Sequence, residues 1–278
     1  MRRALLLATT LLVAASVLHA APMKRGPAFP ASEDSARVAL ERSPRHGEFV
    51  DVPYGSTTAL RSYVVYPERR DKAGVVIVIH EIFGLSDWIR GVADQLAAEG
   101  FIAVAPDLIS GLAAGGGGTD STKSRDEVVQ LVRKLTPDES AARLAAVRAW
   151  TRGLPAANGK VGTVGFCWGG GRSFSAAAAT PAVDAAVVFY GSSPDSAALL
   201  QVRAPVQAHY GGDDARITST VEGTRVTLAK LGRSYRAFVY EGAGHGFLRQ
   251  QEARDGANRR ATEAAWPRTI TFLRHHLD

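Results

Sequence analysis

The run Gly74-Val75-Val76-Ile77-Val78-Ile79 constrains this chain more than any other segment. Side chains alternate across a strand, so an unbroken β-branched run is buried on both faces and needs a cover on each side. The rest of the chain supplies such covers by alternation. Strands are predicted at Glu48–Val52 and Leu60–Tyr66, separated by the turn signal Tyr54-Gly55-Ser56, then at Gly74–Ile79 and Phe101–Ala105. Four more are predicted at Val161–Gly165, Ala185–Tyr190, Val206–Tyr210 and Tyr235–Tyr240. Helical patterns occupy Asp87–Glu99, Ser124–Leu135, Pro137–Thr151, Gly170–Ala179, Thr218–Leu231 and Asn258–Leu277. Ser110–Thr122, with Gly115 to Gly118 in a row, reads as a flexible loop. The expected fold is one α/β domain over residues 48–278, with a mostly parallel central sheet of about eight strands and helices on both faces.

The N-terminus differs in kind. Arg2 and Arg3 precede an apolar stretch from Ala4 to Leu18, which ends in the small residues Ala20 and Ala21. That pattern reads as a secretory signal peptide over 1–21, so a periplasmic or secreted protein is expected, or a membrane-anchored one if the segment stays uncleaved. No membrane span is expected once the segment is removed. Residues 22–47, rich in Pro, Ala, Arg and Ser, read as a flexible arm. Removing Arg2 and Arg3 lowers the formal charge from +6 to +4, spread along the chain without a basic run. Nucleic acid is therefore not an expected partner.

A single cysteine excludes an intramolecular disulfide. In an exported protein a lone thiol is either protected by burial or kept for its chemistry. Cys167 lies in Gly165-Phe166-Cys167-Trp168-Gly169, between a strand and a helix of small residues. Such a turn presents a nucleophile at the carboxyl edge of a sheet, and glycines on both sides relieve the crowding. A thiol nucleophile also needs a base, an orienting acid and oxyanion donors on neighbouring loops at that edge. Of the seven histidines, His245 in Gly244-His245-Gly246 follows a strand end and is the candidate base. The acid belongs after Val206–Tyr210, where Asp213 and Asp214 compete. His209, inside an apolar strand, reads as a core histidine. His80-Glu81 follows the central strand, but position 84 is glycine, so no His-Glu-x-x-His zinc motif forms and no metal is expected. The backbone N–H groups of Ile82 and Trp168 are the candidate oxyanion donors.

Taken together, HEIFGL with Glu81, GFCWGG with Cys167, YGGDDARI with Asp214 and GAGHGF with His245 resemble the dienelactone hydrolase (carboxymethylenebutenolidase) family of α/β-hydrolases. The resemblance spans roughly Glu48 to Leu277. It implies a Cys-His-Asp triad, no cofactor and the choice of Asp214 over Asp213. It also implies that Glu81 pairs with the thiol and takes part in its activation, and that Arg249 binds a substrate carboxylate. The family pattern has a second arginine soon after Pro106-Asp107-Leu108, where this chain continues Ile109-Ser110-Gly111. Lys123 or Arg125 can replace it only if the glycine loop folds back over the pocket.

The expected function is hydrolysis of a small ester or lactone through an acyl-thioester on Cys167, by a monomer. A broad exported carboxylesterase is the nearest alternative. A non-catalytic ligand-binding or thiol redox-sensing protein on the same fold is the alternative from another class.

Overall fold

The computed structural model describes residues 29–278, and the expected signal segment 1–21 lies outside them. In chain order the elements are α1 (Glu33–Glu41), β1 (Gly47–Tyr54), β2 (Thr58–Val65), β3 (Ala73–Ile79), α2 (Asp87–Ala98) and β4 (Ile102–Pro106). Then follow α3 (Arg125–Lys134), α4 (Pro137–Thr151), β5 (Ala157–Phe166), α5 (Trp168–Ala178), β6 (Ala185–Phe189) and α6 (Ser196–Gln201). The chain closes with β7 (Val206–Gly211), α7 (Ala215–Thr218), α8 (Val221–Lys230), β8 (Tyr235–Tyr240) and α9 (Ala257–Leu277).

The eight strands form one sheet in the order β1-β2-β4-β3-β5-β6-β7-β8. β1 and β2 form an antiparallel hairpin, and β2 is antiparallel to β4. From β4 to β8 all neighbours are parallel. Every residue of β3 is buried, as its unbroken apolar run requires. Val76 and Val78 pack on one face with Trp88 and Leu96 of α2 and Trp266 and Leu273 of α9. Val75, Ile77 and Ile79 pack on the other with Val128 and Val132 of α3 and Leu144 and Val147 of α4. Burying such a side chain stabilises the fold by about 1.5–3 kcal/mol.

Two segments depart from expectation. Residues 33–41, placed in a flexible arm, form helix α1 and are docked. Ala36 enters the core beside α2, Gln251 Nε2 donates to Pro30 O (2.8 Å), and Arg45 grips Asp94 at 3.0 and 2.5 Å. The glycine loop is also held. Both carboxylate oxygens of Asp107 accept from Thr119, from its N–H at 2.6 Å and its hydroxyl at 2.9 Å, and Leu85 N–H donates to Thr119 Oγ1 (3.0 Å). These bonds fold the loop back against the end of β3 and deliver Arg125 to the carboxyl edge of the sheet.

The topology fixes where that edge is concave. After β3 the chain places β4 on one side and β5 on the other, so the strand order reverses between β3 and β5. Parallel sheets open a crevice at the carboxyl ends of such neighbours. Ile79 lies opposite Gly165, which sets the His80-Glu81 loop beside the turn at Cys167.

Candidate active site

Cys167 is held at φ 56°, ψ −116°, a conformation that costs a non-glycine residue about 1–3 kcal/mol. Its N–H donates to Phe189 O (3.0 Å) and its carbonyl accepts from Gly171 N–H (3.3 Å), which pins both sides of the turn. The flanking glycines are sterically required. A Cβ on Gly165 would sit 2.0 Å from Gly169 O, and one on Gly169 would sit 2.3 Å from His80 O. Burial, then the charge of Glu81, push the Cys167 thiol up to about 11, while the Trp168 N–H works in the opposite direction. The resting sulfur is therefore a thiol. Trp168 opens α5, so its N–H has no intrahelical acceptor. The N–H of Ile82 has no hydrogen-bond partner among the described residues.

The ends of β7 and β8 bring the next two groups together. Gly211 lets β7 pass close to the histidine loop, since a Cβ there would meet Ala243 O at 2.5 Å. Beyond it, Asp214 Oδ2 lies 2.5 Å from His245 Nδ1. Asp213 points away and pairs with Arg254 at 2.9 Å. The pairing fixes the tautomer: Nδ1–H donates to Asp214, leaving Nε2 as the free acceptor. Asp214 is buried and His245 is about a third exposed, so the imidazole reaches the crevice. His245 and Cys167 share this edge without a hydrogen bond between them, a gap often closed only when substrate binds.

A cluster of charge lies beside them. Glu81 is buried, with Oε2 2.6 Å from Arg249 Nε. The N–H is not aimed at the oxygen, so the contact is an ion pair rather than an aligned hydrogen bond. Burial raises Glu81 to about 7 against the opposing pull of Arg249. Arg249 also pairs through Nη1 with Glu33 Oε2, and Glu33 Oε1 reaches Arg125 Nη2 at 2.9 Å. The Phe83 ring lies under both guanidiniums, 3.6 Å from Arg125 and 5.0 Å from Arg249.

The family model described as the dienelactone hydrolase family matches residues 60–277. The chain belongs to the dienelactone hydrolase family. A Salmonella typhimurium relative with the provisional name carboxymethylenebutenolidase is 30% identical over 224 residues, covering 76% of this chain and 81% of that one. A Bradyrhizobium relative, provisionally named a 2-oxo-3-(5-oxofuran-2-ylidene)propanoate lactonase, is 30% identical over 247 residues, 83% of this chain and 94% of that one. A Klebsiella pneumoniae crystal structure with a provisional dienelactone hydrolase title superposes with a TM-score of 0.70 at 27% identity, covering 82% and 98% of the two chains. A dienelactone hydrolase structure from Anabaena variabilis gives 0.63 at 26% identity, over 84% and 99%. The chain is thus a hydrolase of the α/β-hydrolase fold.

As a dienelactone hydrolase family member it places the expected residues unevenly. Asp214 and His245 meet, and Cys167, Ile82 and Trp168 occupy the facing turns. Glu81 is directed to Arg249 instead of the thiol. Arg249 is engaged by two carboxylates rather than free. Arg125 reaches the Arg249 cluster, where it pairs with Glu33 and lies over Phe83. His80 has a structural part: its Nδ1–H donates to Glu81 O (2.6 Å), its Nε2 accepts from Leu108 N–H (3.2 Å), and its ring stacks on Trp168. His209 is buried among Tyr240, Gln207 and Thr269.

Two residues of this site escape sequence reasoning. Tyr190, at φ 42° after β6, is buried with its hydroxyl beside Glu81 and its ring 5.1 Å from His245, but in sequence it merely ends an apolar strand. Glu33 lies in a segment with no period to read.

Proposed function

We propose that this chain hydrolyses a small ester or lactone through an acyl-thioester on Cys167. The observation that carries this reading is the 2.5 Å contact of Asp214 with His245, at the same sheet edge as a cysteine held in a strained turn. With the thiol pushed up to about 11, attack needs a base, and His245 Nε2 is the acceptor left open by the Asp214 contact. Nε2 takes the thiol proton as the sulfur bonds to the acyl carbon. The Ile82 and Trp168 N–H groups receive the negative charge that develops on the carbonyl oxygen. One such donor typically contributes about 3 kcal/mol to barrier lowering. Collapse breaks the acyl–oxygen bond, and the imidazolium returns its proton to the leaving alkoxide or enolate. Water then loses a proton to Nε2 and attacks the thioester, releasing the acid and restoring the thiol. Esters and enol-lactones suit a thiol nucleophile, whereas an amide demands more help for its leaving group.

The family likeness extends to Glu81 a part in thiol activation. Its resting contact with Arg249 means that any such part begins with release from that arginine. The names of the relatives favour a lactone, while the engagement of Arg249 by Glu33 favours the broader esterase reading. Export through residues 1–21 belongs to the same proposal, and N-terminal sequencing of protein recovered from the medium or periplasm tests it. The activity test is turnover of p-nitrophenyl acetate and of small enol-lactones by the wild type and Cys167→Ala. Turnover abolished in the variant supports the reading, and turnover retained overturns the assignment of the nucleophile.

A further inference from the structure

Arg249 and Arg125 converge on one carboxylate, and that carboxylate belongs to the chain itself. Glu33 opens helix α1, outside the residues matched by the family model. Its backbone N–H donates to Arg249 O (3.0 Å), its Oε2 pairs with Arg249 Nη1, and its Oε1 pairs with Arg125 Nη2 at 2.9 Å. Arg249 Nε is meanwhile taken by Glu81 at 2.6 Å. The cluster therefore sets two carboxyl groups against two guanidiniums, both of which are engaged without any ligand. Phe83 lies under both guanidiniums and closes one side of the pair. Glu81, held by Arg249, follows β3 beside the Cys167 turn, so this cluster borders the proposed reacting centre.

We propose that Glu33 is an intramolecular occupant of this arginine pair and sets the charge of the substrate, so that the site takes uncharged esters or lactones. The inference rests on the hydrolase reading above and narrows it. A substrate carboxylate would either add a third acidic group to a cluster whose guanidiniums are already engaged or displace Glu33 from both arginines. Displacement has two opponents: the backbone bond from Glu33 N–H to Arg249 O, and the anchors of α1 at Gln251 and Asp94. A neutral acyl group meets neither obstacle.

The test compares matched esters that differ in one carboxylate, p-nitrophenyl butyrate and p-nitrophenyl hemisuccinate, on the full chain. The ratio of kcat/KM for the acid to that for the neutral ester is measured in the wild type, Glu33→Gln and Glu33→Ala. Replacing Glu33 removes one negative charge from the two guanidiniums. The ratio should then rise about ten- to hundredfold, the range spanned by one charge-assisted hydrogen bond, through a lower KM for the acid. A calorimetric titration with monomethyl succinate gives a readout independent of turnover, and both variants should bind it more tightly than the wild type. If neither the ratio nor the affinity changes in either variant, Glu33 does not occupy the site as proposed. If affinity rises while no protein hydrolyses either ester, Glu33 keeps its role as occupant and the hydrolase reading fails instead.

Discussion

Asp213 and Asp214 are neighbours with separate fates, and the difference can be measured. Asp214 orients His245 at 2.5 Å, whereas Asp213 makes an exposed pair with Arg254. Asp214→Asn should lower kcat about 10³–10⁴-fold with little change in KM, because the amide favours the wrong imidazole tautomer. Asp213→Asn should stay within about twofold in steady-state assays, as an exposed pair contributes at most about 1 kcal/mol. A second contrast concerns Glu81. Its negative charge is among the causes that raise the Cys167 thiol to about 11, so a neutral amide must lower it. Iodoacetamide labelling of Glu81→Gln followed against pH should show its midpoint moved to lower pH than in the wild type. A midpoint moved upward would mean that Glu81 assists thiol ionisation in the resting protein, and an unchanged one that its charge does not act on the thiol. The Cys167 elbow was legible in the sequence because its glycines are steric necessities. Glu81's actual partner was not, since it depends on how Arg249 and α1 meet in space.

The elements show the same division between what packs by pattern and what packs by polar contact. β3 and its neighbours were legible because an apolar run buried on both faces leaves no other assignment. Helix α1 was not, because Ala36 is its one buried residue and the rest of its attachment named above is polar, through hydrogen bonds and ion pairs. That attachment makes a prediction. Arg45 and Asp94 are both largely buried, so Arg45→Ala leaves the Asp94 carboxylate without its counter-ion, with the Ser43 hydroxyl still donating to it, and should cost about 3 kcal/mol in urea unfolding. Two glycines should respond in opposite senses. Gly169→Ala forces a Cβ to within 2.3 Å of His80 O and should destabilise the elbow by about 3 kcal/mol. Gly223, inside α8, has nothing within 4 Å of a built Cβ, so Gly223→Ala should stabilise by about 0.5–1 kcal/mol. Thermal or urea melts of the two variants give both signs.

At the scale of the molecule, the sheet order and the loops at its carboxyl edge gather side chains far apart in sequence into one crevice. The alternation of strands and helices was enough to expect that gathering. It did not disclose Tyr190 or Glu33, whose roles come from three-dimensional neighbours. Stability of the whole also carries a pH signature. His209 is buried and neutral, its protonation depressed to about 3 by burial and then by the charge of Arg268. A depressed pKa gives stability that is complete above the unfolded value near 6.5 and is lost as pH falls toward 3. His209→Gln should flatten the acid limb of a stability-against-pH curve across that window. Every step of the proposed hydrolysis passes through an acyl group on Cys167. Protein quenched in acid during turnover of p-nitrophenyl acetate, then digested and examined by mass spectrometry, tests this directly. The prediction is one acetyl group on the Cys167 peptide, released by hydroxylamine, with no adduct and no turnover in Cys167→Ala. Full turnover in that variant, or an acetyl group on another residue of the wild type, would contradict it.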